Sequence, residues 1–432
     1  MSLLKAMNRT FSDYDQVSRF LNRVTDYEKE RSRYGPREYN LRAMRRILAR
    51  LGDPQRAFGS IHIAGTKGKG STAIMSEALL RATGARTGLF VSPHLANMLE
   101  RIQINGRPIP RPEFVDVMDR VRPALAGLRP TYFEIMTAAG FEAFRSARVD
   151  RAVVEVGLGG RLDTTNVLRP VVCVITTVDF DHMDKLGNTL ARIAVEKAGI
   201  LKAGVPCVVA PQVPAAMRVI ERRSREVGAP LFRVGREIRL SCWAGRRMEV
   251  HVSTGGRKHE WTMPFLGRHQ AVNAAAAIAA VELAWGRLDP ALTRSVFGSI
   301  RLPGRFERLG PRILMDVAHN PVSARALAAG LAHIGWRDVT VVFGCSRDKD
   351  ARAMLRTLAP FAGRFILTQA ESPRATPAGE LARWVRNGEV IPNVGRAVDE
   401  ALRGRGKVLI TGSFYVAGEA LERIGNSIRM RL

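Results

Sequence analysis

The sequence predicts an α/β protein. Its larger part is a doubly wound, mostly parallel sheet entered through a phosphate-binding P-loop, with a small antiparallel subregion. A smaller Rossmann-like α/β unit follows it. Three observations predict this. Apolar runs rich in β-branched residues, IHIAG at 61–65, DRAVVEVG at 150–157 and VVCVITTVD at 171–179, read as strands buried on both faces. Stretches with helical apolar spacing separate them, as in βαβ units. A glycine-rich turn, GTKGKGST at 65–72, joins the first of these strands to a helix.

Residues 1–50 read as helices, with Leu41, Met44, Ile47 and Leu48 on one face. IHIAG is a strand, and STAIMSEALLRATG is a helix ended by Gly84. TGLFVSPHL is strand then loop, EIMTAAGFEAFRSARV a helix, and VPCVVAP at 205–211 a further strand. Residues 231–263 alternate around a Gly-Gly turn and predict antiparallel hairpins. An alanine-rich helix, HQAVNAAAAIAAVELAW, follows them. The pattern then restarts near residue 300, so the expected domains are 1–300 and 301–432. In the second, RILMDVAH, DVTVVFG, RFILTQ and GKVLITGS predict strands, while GELARWVRN and the C-terminal segment predict helices.

Composition narrows the function classes. Of 432 residues 46% are apolar, enough for a large core. The N-terminal stretch lacks an apolar secretory core, and no run is long enough to span a bilayer, so the expectation is a cytoplasmic protein with no membrane partner. The four cysteines are scattered and suggest neither a metal site nor a disulfide framework. The net charge of +27 invites a nucleic-acid reading. The basic residues, however, form no block and alternate with no aromatic stacking platform. The charge reads as a solvated surface favouring acidic ligands, and no nucleic-acid partner is expected.

Four stretches carry chemistry. In GTKGKGST, backbone N–H groups and a helix N-terminus suit phosphate oxygens, and Lys69 would reach the β- and γ-phosphates. The loop departs from the common P-loop pattern, because Gly70 separates Lys69 from Ser71. In VEVGLGGRLDTTN, Glu155 ends a buried strand; it either serves a magnesium ion or pairs with Arg161. In TTVDFDHMDKLGNT, Asp181 and His182 should emerge at the same sheet edge as Lys69 and Glu155. Lys197, in ARIAVEKAGILKAG, is either a snorkelling surface lysine or a partly buried amine able to add CO₂ as a carbamate.

GTKGKGS, SPH, EVGLGGRLDTTN and DVAHNP, in this order, strongly resemble the folylpolyglutamate synthase/dihydrofolate synthase family of the wider Mur ligase superfamily. The match runs from about Tyr27 to Phe414, and Gly70 belongs to the family's own version of the P-loop. The resemblance implies an ATP-dependent, ADP-forming ligase that adds L-glutamate to dihydropteroate, to the γ-carboxylate of reduced folates, or to both, through an acyl phosphate. It implies that Gly68, Lys69, Gly70 and Ser71 hold the ATP phosphates, with Asn273, Arg305, Asp316 and Ser413 completing the nucleotide pocket. Ser92, Glu155 and His182 match magnesium ligands, and Lys197 matches a carbamylated lysine that would help hold a second Mg²⁺. His319 would lie near the transferred phosphate, and Phe133, Glu134, Leu162, Asp163 and Thr164 would hold the pterin substrate. A monomer is expected. The alternatives are another Mur-type amino-acid ligase and a nucleic-acid-binding P-loop ATPase.

Overall fold

β1 (Gly59–Ala64) is the centre of the first sheet, because it pairs in parallel with strands on both sides. The computed structural model describes residues 10–25, 40–244, 248–263, 267–386 and 388–429. The helices expected within 1–50 appear as Tyr14–Leu21 and Arg42–Arg50; residues 1–9 and 26–39 lie outside the described residues.

The other strands of that sheet are β2 (Thr87–Phe90), β3 (Ile102–Ile104), β4 (Arg107–Pro108), β5 (Arg151–Glu155), β6 (Val172–Ile175), β7 (Cys207–Val209) and β8 (Leu231–Arg233). Their order is β4-β3-β2-β5-β1-β6-β7-β8. Only the β3 and β4 edge runs antiparallel. Ile61 and Ile63 face one helical layer and Ala64 the other, so β1 is apolar throughout except at Ser60 and His62. Burying such side chains on both faces contributes roughly 1.5–3 kcal/mol each. Among the described residues no helix is long and apolar enough to cross a membrane.

A second sheet, β9 (Arg239–Ala244), β10 (Met248–Thr254) and β11 (Arg257–Met263), is antiparallel, as the alternation predicts. The expected hairpin region begins too early, however. Residues 231–233 are parallel to β7 and close the first sheet. The alanine-rich helix Arg268–Trp285 is buried from Gln270 to Val281 apart from Val272. Its methyl groups let it lie close to the helix Lys69–Ala82, with which it shares one core.

The third sheet comprises β12 (Glu307–Arg308), β13 (Ile313–Asp316), β14 (Val339–Phe343), β15 (Ala362–Gln369), β16 (Glu389–Asn393) and β17 (Val408–Thr411). Its order is β12-β13-β17-β14-β15-β16, parallel except for β12. One expectation needs refinement here. The segment GELARWVRN gives no single continuous helix but a short α-helix, Ala378–Leu381, followed by a 3-10 segment, Ala382–Trp384. The strand β16 after it has no apolar run, because it is a partly exposed edge containing Pro392.

Candidate functional site

The carboxyl ends of β2, β5, β1 and β6 lie side by side, and each delivers one part of the site. After β1 the chain turns through Gly65–Gly68 into the helix Lys69–Ala82. The turn is tied to the loop after β6. Thr66 N–H donates to Thr177 O at 2.9 Å, and Thr66 Oγ1 donates to Asp179 O at 3.0 Å. Lys67 forms an ion pair with Asp179. Gly68 has φ of +91°, and a Cβ there would stand 2.4 Å from Asn273 Oδ1. Asn273 is buried and held by Gln270 at 3.0 Å, so the predicted P-loop and QAVN residues do meet.

Gly70 is different. A Cβ there would lie 3.4 Å from Glu155 Oε2. Space does not demand glycine there, since such a Cβ would only touch the carboxylate of the neighbouring strand at ordinary contact distance. Glu155, at the end of β5, is 3% exposed. Its Oε1 stands 4.0 Å from Lys69 Nζ, and its Oε2 accepts the Ser92 N–H at 3.1 Å. Burial raises its pKa, against the opposing charges of Lys69, Arg305 and Arg101. The alternative partner is excluded, because Arg161 pairs with Glu196 at 2.8 Å.

Lys197, on the helix Leu190–Ala198, is 3% exposed and no snorkelling residue. Its Nζ donates to Gly65 O at 2.7 Å, directly behind the P-loop. Burial, reinforced by the positive charge of Lys69, lowers its pKa to about 7. His182 follows β6 with φ of +47°, and its imidazole is half-exposed beside Asp181.

This donor set suits a divalent ion. Glu155 is a buried carboxylate with the Lys69 ammonium at 4.0 Å and the Ser92 N–H on it, and Ser92 adds a hydroxyl; magnesium takes such oxygen ligands together with phosphates. His182 adds one imidazole. Lys197 becomes an oxygen ligand only as a carbamate, and a neutral buried amine is the form that adds CO₂. Among the described residues no three His, Cys, Asp or Glu side chains gather as a metal cluster.

The third sheet turns its own carboxyl edge to this site. Arg305, half-buried, lies over the Phe414 ring at 5.2 Å and is drawn by the charges of Asp316 and Glu155. Asp316 accepts the N–H groups of Phe306 and Ala318, each at 2.8 Å, so it fastens the loop that carries Arg305. His319 Nδ1–H donates to Val317 O at 3.0 Å, which leaves Nε2 as the lone-pair nitrogen. Burial lowers its pKa and keeps it neutral. Ser413 caps the helix Phe414–Arg429 by accepting Val416 N–H at 3.1 Å. The two edges meet where the SPHLAN loop enters the second body. A Cβ at Gly418 would stand 2.0 Å from Leu95 O. Glu100 holds that loop by accepting the N–H groups of Leu95, Ala96 and Asn97.

The predicted pterin residues also converge. Phe133 packs where a Cβ on Gly157 would be 2.5 Å from its ring. Thr164 and Thr137 share a hydrogen bond of 2.7 Å, and Thr137 also donates to Phe133 O. Asp163 is buried and caps the turn Thr164–Val167, while Leu162 beside it is half-buried. Glu134 is engaged locally: it forms a capping box with Thr131. Sequence reasoning missed Arg101. It is buried, donates to His94 at 2.8 Å, lies over the Tyr132 ring, and adds positive charge near Glu155. Its setting, ERIQI, reads as an ordinary surface arginine.

Comparison with known proteins places this geometry. Residues 63–281 match the Mur ligase middle domain, and residues 304–414 match the Mur ligase glutamate ligase domain. The dihydrofolate synthase/folylpolyglutamate synthase of Mycobacterium tuberculosis is 39% identical over 366 residues, covering 78% of this chain and 75% of its own. Crystal structures of the folylpolyglutamate synthase of Mycobacterium tuberculosis complexed with ADP and AMPPCP superpose with a TM-score of 0.85 at 34% identity, over 95% of this chain and 98% of that one. The bifunctional enzyme of Yersinia pestis, complexed with AMPPNP and a Mn ion, gives a TM-score of 0.84 at 30% identity, over 96% and 99% of the two chains.

Proposed function

This chain belongs to the folylpolyglutamate synthase/dihydrofolate synthase family of Mur ligases, and from that membership we propose how its residues divide the work. It is an ATP-dependent, ADP-forming ligase that joins L-glutamate to a pterin-bearing carboxylic acid: dihydropteroate, the γ-carboxylate of a reduced folate, or both. We place the division of the chain near residue 300, with ATP between the two parts.

A carboxylate resists an amine because its oxygen is a poor leaving group. The acceptor carboxylate therefore attacks the γ-phosphorus of ATP, the bond to the ADP oxygen breaks, and an acyl phosphate forms. The α-amine of glutamate attacks the acyl carbon, sheds a proton and expels phosphate, leaving the amide.

Each residue has a part in this. Gly68 to Ser71 present backbone N–H groups to the phosphates, and Lys69 offsets charge on the transferring group. Asn273 packs against the turn at Gly68 and borders the nucleotide. Ser413 and Asp316 order the loop and helix on which Arg305 meets the nucleotide. His319 offers a neutral Nε2 suited to the proton shed by the amine. Phe133, Leu162, Asp163 and Thr164 frame the acceptor, with Glu134 fixing the helix that carries Phe133. Two magnesium ions, one held by Ser92 and Glu155 and one by His182 with carbamylated Lys197, would supply positive charge to the phosphate oxygens when bound.

The observation that carries this reading is the juxtaposition of Lys69 and Glu155 at 4.0 Å. It sits between a phosphate-type turn and a facing edge that brings Arg305 into the same field. The test is incorporation of labelled glutamate by the purified protein with ATP, Mg²⁺ and either dihydropteroate or tetrahydrofolate. Amide product in step with ADP is expected. ADP release without amide, or no turnover with either acceptor by folded protein, overturns it.

A further inference from the structure

We propose that His62, which lies in β1 outside both loops of the site, is a positioning residue for the pterin-acid acceptor. It acts through Thr165, which sets the Asp163–Thr164 turn against the helix Tyr132–Ser146. This rests on the reading above that residues 157–166 border the acceptor.

His62 is fully buried. Its Nε2 lies 2.8 Å from Thr165 Oγ1, and the same hydroxyl bonds Asp163 Oδ1. A carboxylate only accepts, so the one hydroxyl proton goes to Asp163. The hydroxyl lone pair must then take the proton of His62 Nε2–H. That fixes the tautomer and leaves Nδ1 as a buried acceptor with no hydrogen-bond partner among the described residues. An apolar side chain would fill this strand position without that cost. The imidazole is therefore not explained by stability; the bond to Thr165 is what it contributes.

That bond starts two branches. Asp163 also accepts the N–H groups of Leu158 at 2.9 Å and Thr165 at 3.0 Å, which closes the turn. The neighbouring Thr164 passes to Thr137 and on to Phe133 O. The acceptor wall is thus bolted to β1, the strand that three residues later becomes the phosphate turn at Gly65. One rigid strand then sets the spacing between acceptor and γ-phosphate, on which in-line transfer depends steeply. The far end of the turn has its own anchor, Asn166 with Lys202 at 2.7 Å and with Gly199 O at 3.2 Å. Loss of the His62 bond should therefore loosen the turn without releasing it.

The experiment compares His62→Val, His62→Gln, His62→Asn, Thr165→Val and Thr165→Ser in steady-state ligation. Acceptor and ATP are varied separately, and thermal melts are run alongside. The acceptor KM should rise about tenfold in His62→Val and Thr165→Val, the size expected for one lost buried hydrogen bond, with the ATP KM within about twofold of wild type. His62→Gln, whose amide nitrogen reaches the Nε2 position, should restore it. His62→Asn, whose nitrogen falls at the Nδ1 position, should not. Thr165→Ser should behave as wild type. Equal behaviour of the Gln and Asn variants overturns the assignment. So does an unchanged acceptor KM in both valine variants, or a parallel rise of both KM values with a lowered melting temperature. If a valine variant does not fold, the Gln–Asn contrast decides. Wild-type protein that ligates glutamate to neither acceptor overturns the functional reading itself, a result separate from wild-type turnover with insensitive variants.

Discussion

Lys69 Nζ stands 4.0 Å from Glu155 Oε1, bridging the mouths of β1 and β5. The ammonium opposes the rise in pKa that burial imposes on this carboxylate. Lys69→Ala should therefore do two things. It should remove charge stabilisation of the transferring phosphoryl group, lowering kcat by about 10²–10³-fold. It should also push the Glu155 pKa higher still, weakening metal binding. Coupled ADP-release and amide assays, with circular dichroism as the folding check, measure both; near-wild-type turnover would contradict the role.

The His182 side chain is half-exposed, and its Nε2 stands 3.9 Å from Asp181 Oδ2. His182→Ala should leave the melting temperature unchanged and shift the Mg²⁺ dependence of ligation at least about tenfold upward, as loss of a metal-site group does. A superimposable Mg²⁺ titration would remove it from the ligand set. Glu155→Gln should produce the larger shift of the two.

Lys197 has its pKa held at about 7. Below that pH the ammonium form dominates and cannot add CO₂; above it the free amine can. Ligation in bicarbonate-containing buffer should therefore rise as pH increases through 7. In CO₂-depleted buffer it should drop and recover on adding bicarbonate, whereas Lys197→Arg should not respond. The same depressed pKa makes folding release a proton between pH 7 and the ordinary lysine range. Stability of the free enzyme should accordingly increase with pH across that window and be lost as pH falls through 7, which chemical denaturation at several pH values would show.

The glycines of the turn are not equivalent. Gly68→Ala combines φ of +91° with a contact of 2.4 Å on Asn273, so it should cost about 1–3 kcal/mol or more. Gly70→Ala meets only an ordinary contact of 3.4 Å at a helical backbone, so thermal stability should stay within about 0.5 kcal/mol. Its ATP and Mg²⁺ dependence should still change, because the new methyl group touches Glu155. Equal destabilisation of both variants would refute this distinction.

Much of the site was legible because chain direction and sheet edge follow from apolar runs. Once 61–65, 150–157 and 171–179 are parallel strands, Lys69, Glu155 and His182 must emerge together. The alternative partner of Glu155 could not be decided that way, since Arg161 and Glu196 meet only through the packing of the helix Leu190–Ala198. Nor could the local duties of Glu134, Asp316 and Ser413, which spend their acceptors on backbone N–H groups. Arg101 and Thr137 carry no one-dimensional signal; their importance comes from neighbours distant in sequence. Edge strands such as β16 escape for a related reason: they need no apolar run to be held.

The seam at Leu95 and Gly418 limits what recombination between related enzymes can achieve. Main chain rests on main chain there, with no side chain to act as a shim. A chimera that borrows its C-terminal half must import a glycine at that helical position, or the two halves will be wedged apart whatever the quality of their separate cores. Library designs that shuffle segments should treat this residue as part of the joint and choose crossover points on either side of it.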